Sequence, residues 1–290
     1  MDHSRFAYSP IIDRKVLKWP NGARVAVWVV PNIEFFLFDK GGTGWSFKRP
    51  SLSPDVMNHS WRDYGPRVGI WRMMEVMEKY GVKGTVALNS DVCEHHARII
   101  EAGNKLDWEW MGHGKTNSIH LTGMSEEDEH KHVSEVRNAI TQGTGKAPRG
   151  WLGPGLDETF NTPDILAAVG FDYVGDWVND DQPYPMKVKK NALISLPYSI
   201  EINDIPSFVD HHQSPDAFYQ MIADTFDVLY EEGTQSGRVM AICLHPYLIG
   251  RPHRIKALDK ALKYLKSHDG VWFAKGAEIV DWYKAQYLGK

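Results

Sequence analysis

Residues 25–30 read Val-Ala-Val-Trp-Val-Val, apolar throughout and mostly β-branched. A continuous run of that length predicts a strand buried on both faces, as in a parallel sheet. Over residues 66–80 the period changes. Ile70, Met73, Met74, Met77 and Tyr80 recur at helical spacing, and Gly81 supplies a stop. Residues 85–88 predict a second strand. A third is predicted where Leu106, Trp108 and Trp110 alternate with polar residues. Ser125-Glu126-Glu127-Asp128 has the form of a capping box and opens a helix to about Thr141. A short helix over 163–169 leads to strands over 171–174 and 192–196. Ser214 followed by Pro215 starts another helix, with Phe218, Ile222, Phe226 and Leu229 on one face. A strand over 239–244, a helix over 255–266, a strand over 271–274 and a helix over 276–285 complete the chain. Strands alternating with helices along the whole length predict one α/β domain over residues 1–290, most economically a barrel. No internal repeat, low-complexity tract or flexible linker divides it.

Two connections are long. Residues 34–64 carry Gly41, Gly42, Gly44, Pro50 and Pro54, and residues 175–191 carry Asn179, Asp180, Asp181, Pro183 and Pro185. Loops this long in a compact domain are usually functional, so both are expected to wall a substrate pocket. A dimer contact is an equally economical use of the first. Of the 290 residues, 33 are basic and 37 acidic, a formal charge of −4. That balance lacks the dense basic face of a sequence-independent nucleic-acid binder. Cys93 and Cys243 are far apart and in no CxxC spacing, so they form neither a disulfide framework nor a thiolate metal site and suit a reducing compartment. Met1-Asp2-His3-Ser4-Arg5 does not lead into the apolar stretch of a secretory signal, and no hydrophobic run is long enough to span a bilayer. The expected address is the cytoplasm and the expected partner a small-molecule substrate, with neither nucleic acid nor membrane.

Candidate chemistry falls directly after each strand. Pro31-Asn32-Ile33-Glu34 succeeds the first, Asn89-Ser90-Asp91 the second, and Gly112-His113-Gly114-Lys115-Thr116-Asn117 the third. Gly153-Pro154-Gly155 comes after a segment at 149–152, Gly175-Asp176-Trp177 after the strand at 171–174, and His245-Pro246 after the strand at 239–244. In a parallel barrel these positions share the C-terminal face, where barrel enzymes build their sites. Each has a plainer reading. Glu34 could be a solvated loop acid, His113 a turn residue, His245 a core histidine, Asp176 an Asx turn and Arg149 a surface base. The His95-His96 and His211-His212 pairs read as surface residues, because neighbours on a helix diverge. His130 and His132, in an acid-rich helix, read as solvated. Trp28 and Trp71 fit core positions.

Taken together, these segments resemble the polysaccharide deacetylase (NodB-homology) superfamily over about residues 18–281. Asn32-Ile33-Glu34 stands for its aspartate pair, and His113 with Asn117 for its H-x-x-x-H metal motif. Arg149-Gly150-Trp151 stands for its arginine segment, Asp176-Trp177 for its aspartate–tryptophan pair, and Cys243-Leu244-His245 for its terminal histidine motif. The branch that includes cofactor-independent allantoinase and cyclic imide hydrolases is the nearest. It is matched by Asp63-Tyr64-Gly65-Pro66-Arg67-Val68-Gly69-Ile70-Trp71-Arg72, Asn179-Asp180-Asp181-Gln182-Pro183-Tyr184, Leu196-Pro197-Tyr198 with Asn203-Asp204, and Leu244-His245-Pro246-Tyr247-Leu248-Ile249-Gly250-Arg251-Pro252. The resemblance implies a distorted (β/α) barrel that assembles as a homo-oligomer.

Two departures stand out. Asn32 replaces the usual catalytic aspartate and Asn117 the second metal-binding histidine. Zinc wants about three protein ligands and an open position, whereas here only Glu34 and His113 are good donors and Asn117 is a neutral amide. The expectation is therefore no cofactor, the alternative being zinc or another divalent metal on those three residues.

The resemblance and the residues together predict hydrolysis of a carbon–nitrogen bond in a small cyclic imide or ureide. Glu34 would bind or deprotonate the water, or grip ring N–H groups. His245 would protonate the leaving nitrogen, and His113 would orient water or substrate, or ligate a metal. Arg149 and Arg251 would steady the carboxylate formed, with Asn32, Asn117, Trp151, Asp176 and Trp177 completing the substrate contacts. Two alternatives remain: an N-deacetylase of an amino sugar or glycan, and a barrel that has lost its chemistry and only binds.

Overall fold

The computed structural model describes residues 3–40 and 52–288; Gly41, Gly42, Gly44 and Pro50 of the first expected pocket wall lie outside the described residues. In chain order the elements are β1 (Val25–Ile33), α1 (Val56–Tyr64), α2 (Ile70–Lys79), β2 (Thr85–Leu88), α3 (Asp91–His95), α4 (Ala97–Lys105), β3 (Glu109–Gly112) and α5 (Glu126–Thr144). Then come β4 (Gly150–Trp151), α6 (Thr162–Val169), β5 (Tyr173–Val174), β6 (Tyr184–Met186), β7 (Leu193–Ser195), α7 (Pro215–Glu232), β8 (Arg238–Leu244), α8 (Ile255–Lys266), β9 (Val271–Phe273) and α9 (Gly276–Tyr283). No helix among the described residues is long and apolar enough to cross a membrane.

The strands form one curled sheet in the order β6-β7-β5-β4-β3-β2-β1-β8. All pairs are parallel except the β6–β7 hairpin. One edge of β1 pairs with β8 from Val25↔Arg238 to Pro31↔Leu244. Its other edge takes β9 at the start, Val25↔Val271, and β2 at the end, Asn32↔Ala87. Strand pairing does not close the ring. The free edge of β8 is met by irregular chain, Val239 donating to the Asp181 carbonyl (2.8 Å) and Cys243 to the Ile202 carbonyl (3.0 Å). The result is the expected distorted (β/α) barrel, open where a further strand would stand.

Alternation along β1 explains its unbroken hydrophobicity. Ala26, Trp28 and Val30 join Met111, Leu152, Tyr173, Ile194, Leu196, Tyr198 and Ala241 inside the curl. Val25, Val27 and Val29 pack outward with Met73, Met77, Val136, Ile140, Phe218, Phe226 and Leu262 from the helices. Burying each large apolar side chain is worth about 1.5–3 kcal/mol. Trp28 also satisfies its indole, Nε1 donating to the Pro197 carbonyl at 2.9 Å.

The helices opened by Ser125 and Ser214 begin as expected, each serine accepting from the backbone N–H three residues on. Four elements escape the hydrophobic pattern. α1 lies inside the supposed 34–64 loop because its buried face is polar, Asn58 and Arg62, and so leaves no apolar stripe to read. α3 and α4 occupy residues for which the pattern predicts no element, and β6 lies inside the 175–191 loop. The third strand starts at Glu109 and not at Leu106, because Leu106 ends α4 and Asp107 adopts a left-handed φ of 55°. The acid-rich helix α5 is less solvated than its composition suggests. Glu129 is fully buried and accepts from the Thr159 and Thr162 hydroxyls, and His132 is half-buried.

Candidate active site

The ends of β1, β2, β3 and β4 are laced together at one level. His113 N donates to the Leu88 carbonyl (3.0 Å) and Asn89 N to the Ile33 carbonyl (3.2 Å). The Asn89 side chain ties the next two residues in place. Its Oδ1 accepts from Phe35 N at 2.8 Å, and its Nδ2 donates to the His113 carbonyl. Glu34 and His113 are thus set by the same amide. Across the curl, β8 ends at Leu244, and His245 comes next on the same face.

These three residues, remote in sequence, meet at one oxygen. Glu34 Oε1 lies 3.6 Å from His113 Nε2 and 3.5 Å from His245 Nε2, and accepts from Asn117 Nδ2 at 2.5 Å. The side chains of Glu34, His113 and His245 are 5%, 3% and 4% exposed. His113 Nδ1 faces the Leu152 carbonyl at 2.5 Å, an oxygen that can only accept, so Nδ1 carries the proton and Nε2 is turned toward Glu34. Glu34 Oε2, His113 Nε2 and Asn117 Oδ1 have no hydrogen-bond partner. Orphaned polar atoms at that depth mark a place prepared for a ligand.

His245 is held by a residue to which no motif role attached. Its Nδ1 lies 2.7 Å from Asp204 Oδ1, while Asp204 Oδ2 accepts from His245 N (2.9 Å) and Ile249 N (3.2 Å). Burial pushes the His245 pKa down, but the flanking carboxylates of Glu34 and Asp204 outweigh it and carry it up to about 10. Burial pushes Glu34 up, and the charge of the adjacent His245, with the His113 ring beside it, overcomes that, holding its carboxyl well below the usual range. Asp204, with no exposure at all, is raised by burial despite the pull of His245. At neutral pH the site holds a carboxylate beside an imidazolium.

Asn32 points into the curl one turn of the pleat beneath Glu34. Its Nδ2 is directed at the Val30 carbonyl (3.1 Å), the Tyr198 hydroxyl (3.2 Å) and the Leu244 carbonyl (3.4 Å). Two carbonyls at that spot call for a donor, which an ionised aspartate could not supply. Asp176 accepts from Gly153 N at 2.7 Å and so braces the turn whose Leu152 carbonyl orients His113. Burial raises Asp176 well above its ordinary value, its neighbour Glu158 rises to about 7, and Trp177 Nε1 donates to Glu158 at 3.1 Å. Asp176 thus braces the Gly153 turn with its Oδ2 left without a hydrogen-bond partner, and Trp177 is tied to Glu158.

Three expected substrate contacts are corrected. Arg149 precedes β4 and sits at the opposite, N-terminal end of the sheet. There it bridges Asp172 (2.6 Å) and Asp281 (2.6 Å). Trp151 is fully buried in the outer core against Phe171. Arg251 is spent on backbone carbonyls, Tyr247 at 3.1 Å and Trp61 at 3.1 Å, with its guanidinium stacked on Tyr64. The 175–191 loop does line cavities, one of about 670 Å3 with the N-terminal arm and one of about 440 Å3 beside β8, but neither is lined by Glu34, His113 or His245. His95 stacks flat on Phe35 at 4.5 Å, packing beside the site without entering it.

The donors fit a tightly held metal poorly. Among the described residues no three His, Cys, Asp or Glu side chains are arranged to hold an ion. Of the three suggested ligands, Asn117 turns its N–H toward Glu34. That leaves one carboxylate and one imidazole where zinc wants about three good donors.

The polysaccharide deacetylase family model matches residues 58–174. A Schizosaccharomyces pombe protein assigned to the polysaccharide deacetylases is 29% identical, covering 93% of each chain. Among solved structures, a protein of Pseudomonas aeruginosa PAO1 described as a polysaccharide deacetylase superposes with a TM-score of 0.85 at 29% identity, over 96% of this chain and 97% of that one. The PuuE allantoinase superposes with a TM-score of 0.82 at 28% identity, over 94% of both.

Proposed function

Because the chain belongs to the polysaccharide deacetylase superfamily, in the branch that resembles allantoinase, we propose that this hydrolase of non-peptide carbon–nitrogen bonds opens a small cyclic imide or ureide. The observation that carries the reading is the burial of the reacting groups: Glu34, His113 and His245 are each at most 5% exposed, which suits a compact ring better than a polymer lying in an open groove.

Water bound at the Glu34 carboxylate attacks the ring carbonyl, and its proton passes to Glu34. The C–N bond then breaks as His245 Nε2 gives its proton to the departing nitrogen. Asp204 on Nδ1 holds the ring oriented and favours the imidazolium before donation. After cleavage Glu34 is protonated and His245 neutral. The 3.5 Å between them lets the proton return, restoring the starting pair. His113, its tautomer fixed by Leu152, positions the water or the carbonyl oxygen. Asn117 anchors the carboxylate from the other side. No step is routed through a metal.

A second reading, removal of an acetyl group from an amino sugar, uses the same bond chemistry. It is favoured by the deacetylase descriptions of the Schizosaccharomyces pombe and Pseudomonas aeruginosa relatives. Turnover of succinimide, hydantoin, allantoin and an N-acetylglucosamine oligomer separates the two. Ring opening that disappears in His245→Ala supports the cyclic substrate. Acetate release from the oligomer, with every ring left intact, replaces it by the second reading.

A further inference from the structure

Arg62 lies on α1 with 7% exposure, and its Nε has no hydrogen-bond partner. Among the described residues it enters no salt bridge, although arginine is almost never buried unpaired. Its guanidinium lies over the Phe36 ring at 4.3 Å, and Phe36 stands two residues beyond Glu34. Its other neighbour is Tyr247, two residues beyond His245, whose ring packs edge-on against both Trp61 (5.0 Å) and His245 (5.7 Å). Burial raises the Tyr247 hydroxyl well above its ordinary pKa, the Glu34 charge adds to this, and Arg62 pulls it back. The positive charge of Arg62 and the negative charge of Glu34 therefore act on one hydroxyl, bracketed by the two loops that carry the base and the acid.

We propose that Arg62 is the anion-binding residue of this site, receiving the carboxylate that ring opening leaves on the product. The inference rests on the cyclic-amide reading above. In that reaction the oxygen of water becomes bonded to the carbonyl carbon, the C–N bond breaks, the nitrogen gains a proton, and the new carboxyl group ionises. A planar guanidinium with an unused donor, in a site of low polarisability, is the group that recognises such a product. It fills the role expected of Arg149 and Arg251, whose guanidinium groups are spent on acidic side chains and on backbone carbonyls.

The test is calorimetric titration of the intact protein with succinamate, the half-amide from succinimide, and with acetate, using wild type, Arg62→Gln and Arg62→Lys. Succinamate should bind wild type, bind Arg62→Gln roughly 10–100-fold more weakly, the loss of a charge-assisted hydrogen-bonded contact, and recover partly in Arg62→Lys. Inhibition of ring opening by added succinamate should weaken by a similar factor, with the thermal midpoint and far-UV dichroism retained. Equal succinamate affinity in wild type and Arg62→Gln overturns the proposal, as does wild type that binds acetate but excludes succinamate. Wild type that opens rings while succinamate inhibits Arg62→Gln as strongly as wild type removes Arg62 alone. Absence of ring opening in wild type removes the cyclic-amide reading itself.

Discussion

Asp204 and His245 form a bidentate unit: one carboxylate oxygen takes the imidazole Nδ1 at 2.7 Å and the other takes the backbone N–H of the same histidine at 2.9 Å. Ring and main chain are thus fixed by one side chain, leaving Nε2 a single direction, toward Glu34. This arrangement makes His245 an acid whose proton is present across the neutral range and whose aim is set before any ligand arrives.

Asp204→Asn should shift the alkaline side of the activity profile. The folded pKa of His245 is about 10, against about 6.5 in the unfolded chain. Its stabilisation is therefore complete below about pH 6.5 and lost as pH rises through about 10. In wild type the thermal midpoint should fall over that window, and kcat/KM should decline only at its alkaline end. In Asp204→Asn one of the two flanking charges is gone, so both the decline in kcat/KM and the fall in thermal midpoint should move toward neutral pH. An alkaline limb at the same pH in both proteins would show that His245 is not the titrating acid.

Removal and gain of metal should behave oppositely in wild type and Asn117→His. Wild type offers Glu34 and His113 as good donors, so exhaustive dialysis against a chelator should leave turnover unchanged. Asn117→His places a second imidazole beside the Glu34 carboxylate, where the amide now donates at 2.5 Å. It should bind cobalt(II) at close to one ion per chain, with visible absorption bands of a nitrogen–oxygen site. Chelator-sensitive turnover in wild type would reinstate the metal.

Legibility in the sequence depends on where each residue takes its position. β1 is legible as an unbroken apolar run buried on both faces and α7 by its helical period, and Glu34, His113 and His245 because each directly succeeds a strand. Asp204 opens a helical turn between β7 and α7 that is too short to show a period, and only the fold brings it to His245. Arg62 hides on a helix whose inner face is polar. Arg149 became a candidate through the resemblance, and it lies one residue before β4. Nearness to a strand in sequence does not say which end of the sheet a side chain occupies, and at the N-terminal end a conspicuous arginine is structural.

Arg149→Ala tests that correction. Its two ion pairs are partly exposed, with Arg149 at 38% and Asp281 at 57%, so each is worth about 0–1 kcal/mol. The variant should keep kcat and KM within about twofold and lose about 1 kcal/mol, a fall in thermal midpoint of roughly 2–4 °C for a chain of this size. A large loss of kcat with the fold intact would return Arg149 to the site.

Gly69→Ala should injure the site from outside it. Gly69 lies in the junction between α1 and α2, and a Cβ there would fall 2.0 Å from the Pro246 carbonyl oxygen and 2.8 Å from its carbon. The obstacle is backbone, so the turn that carries His245 must move. Overpacking of this kind costs about 1–3 kcal/mol, and displacing an acid by about 1 Å can cost roughly 10²-fold in rate. Gly81→Ala is the control. Gly81 has a φ of 61° and nothing within 4 Å of its added Cβ, so it should lose about 1–2 kcal/mol from the left-handed backbone alone and keep kcat. If Gly69→Ala were no slower than Gly81→Ala at matched stability, the α1–α2 junction would not be what seats His245.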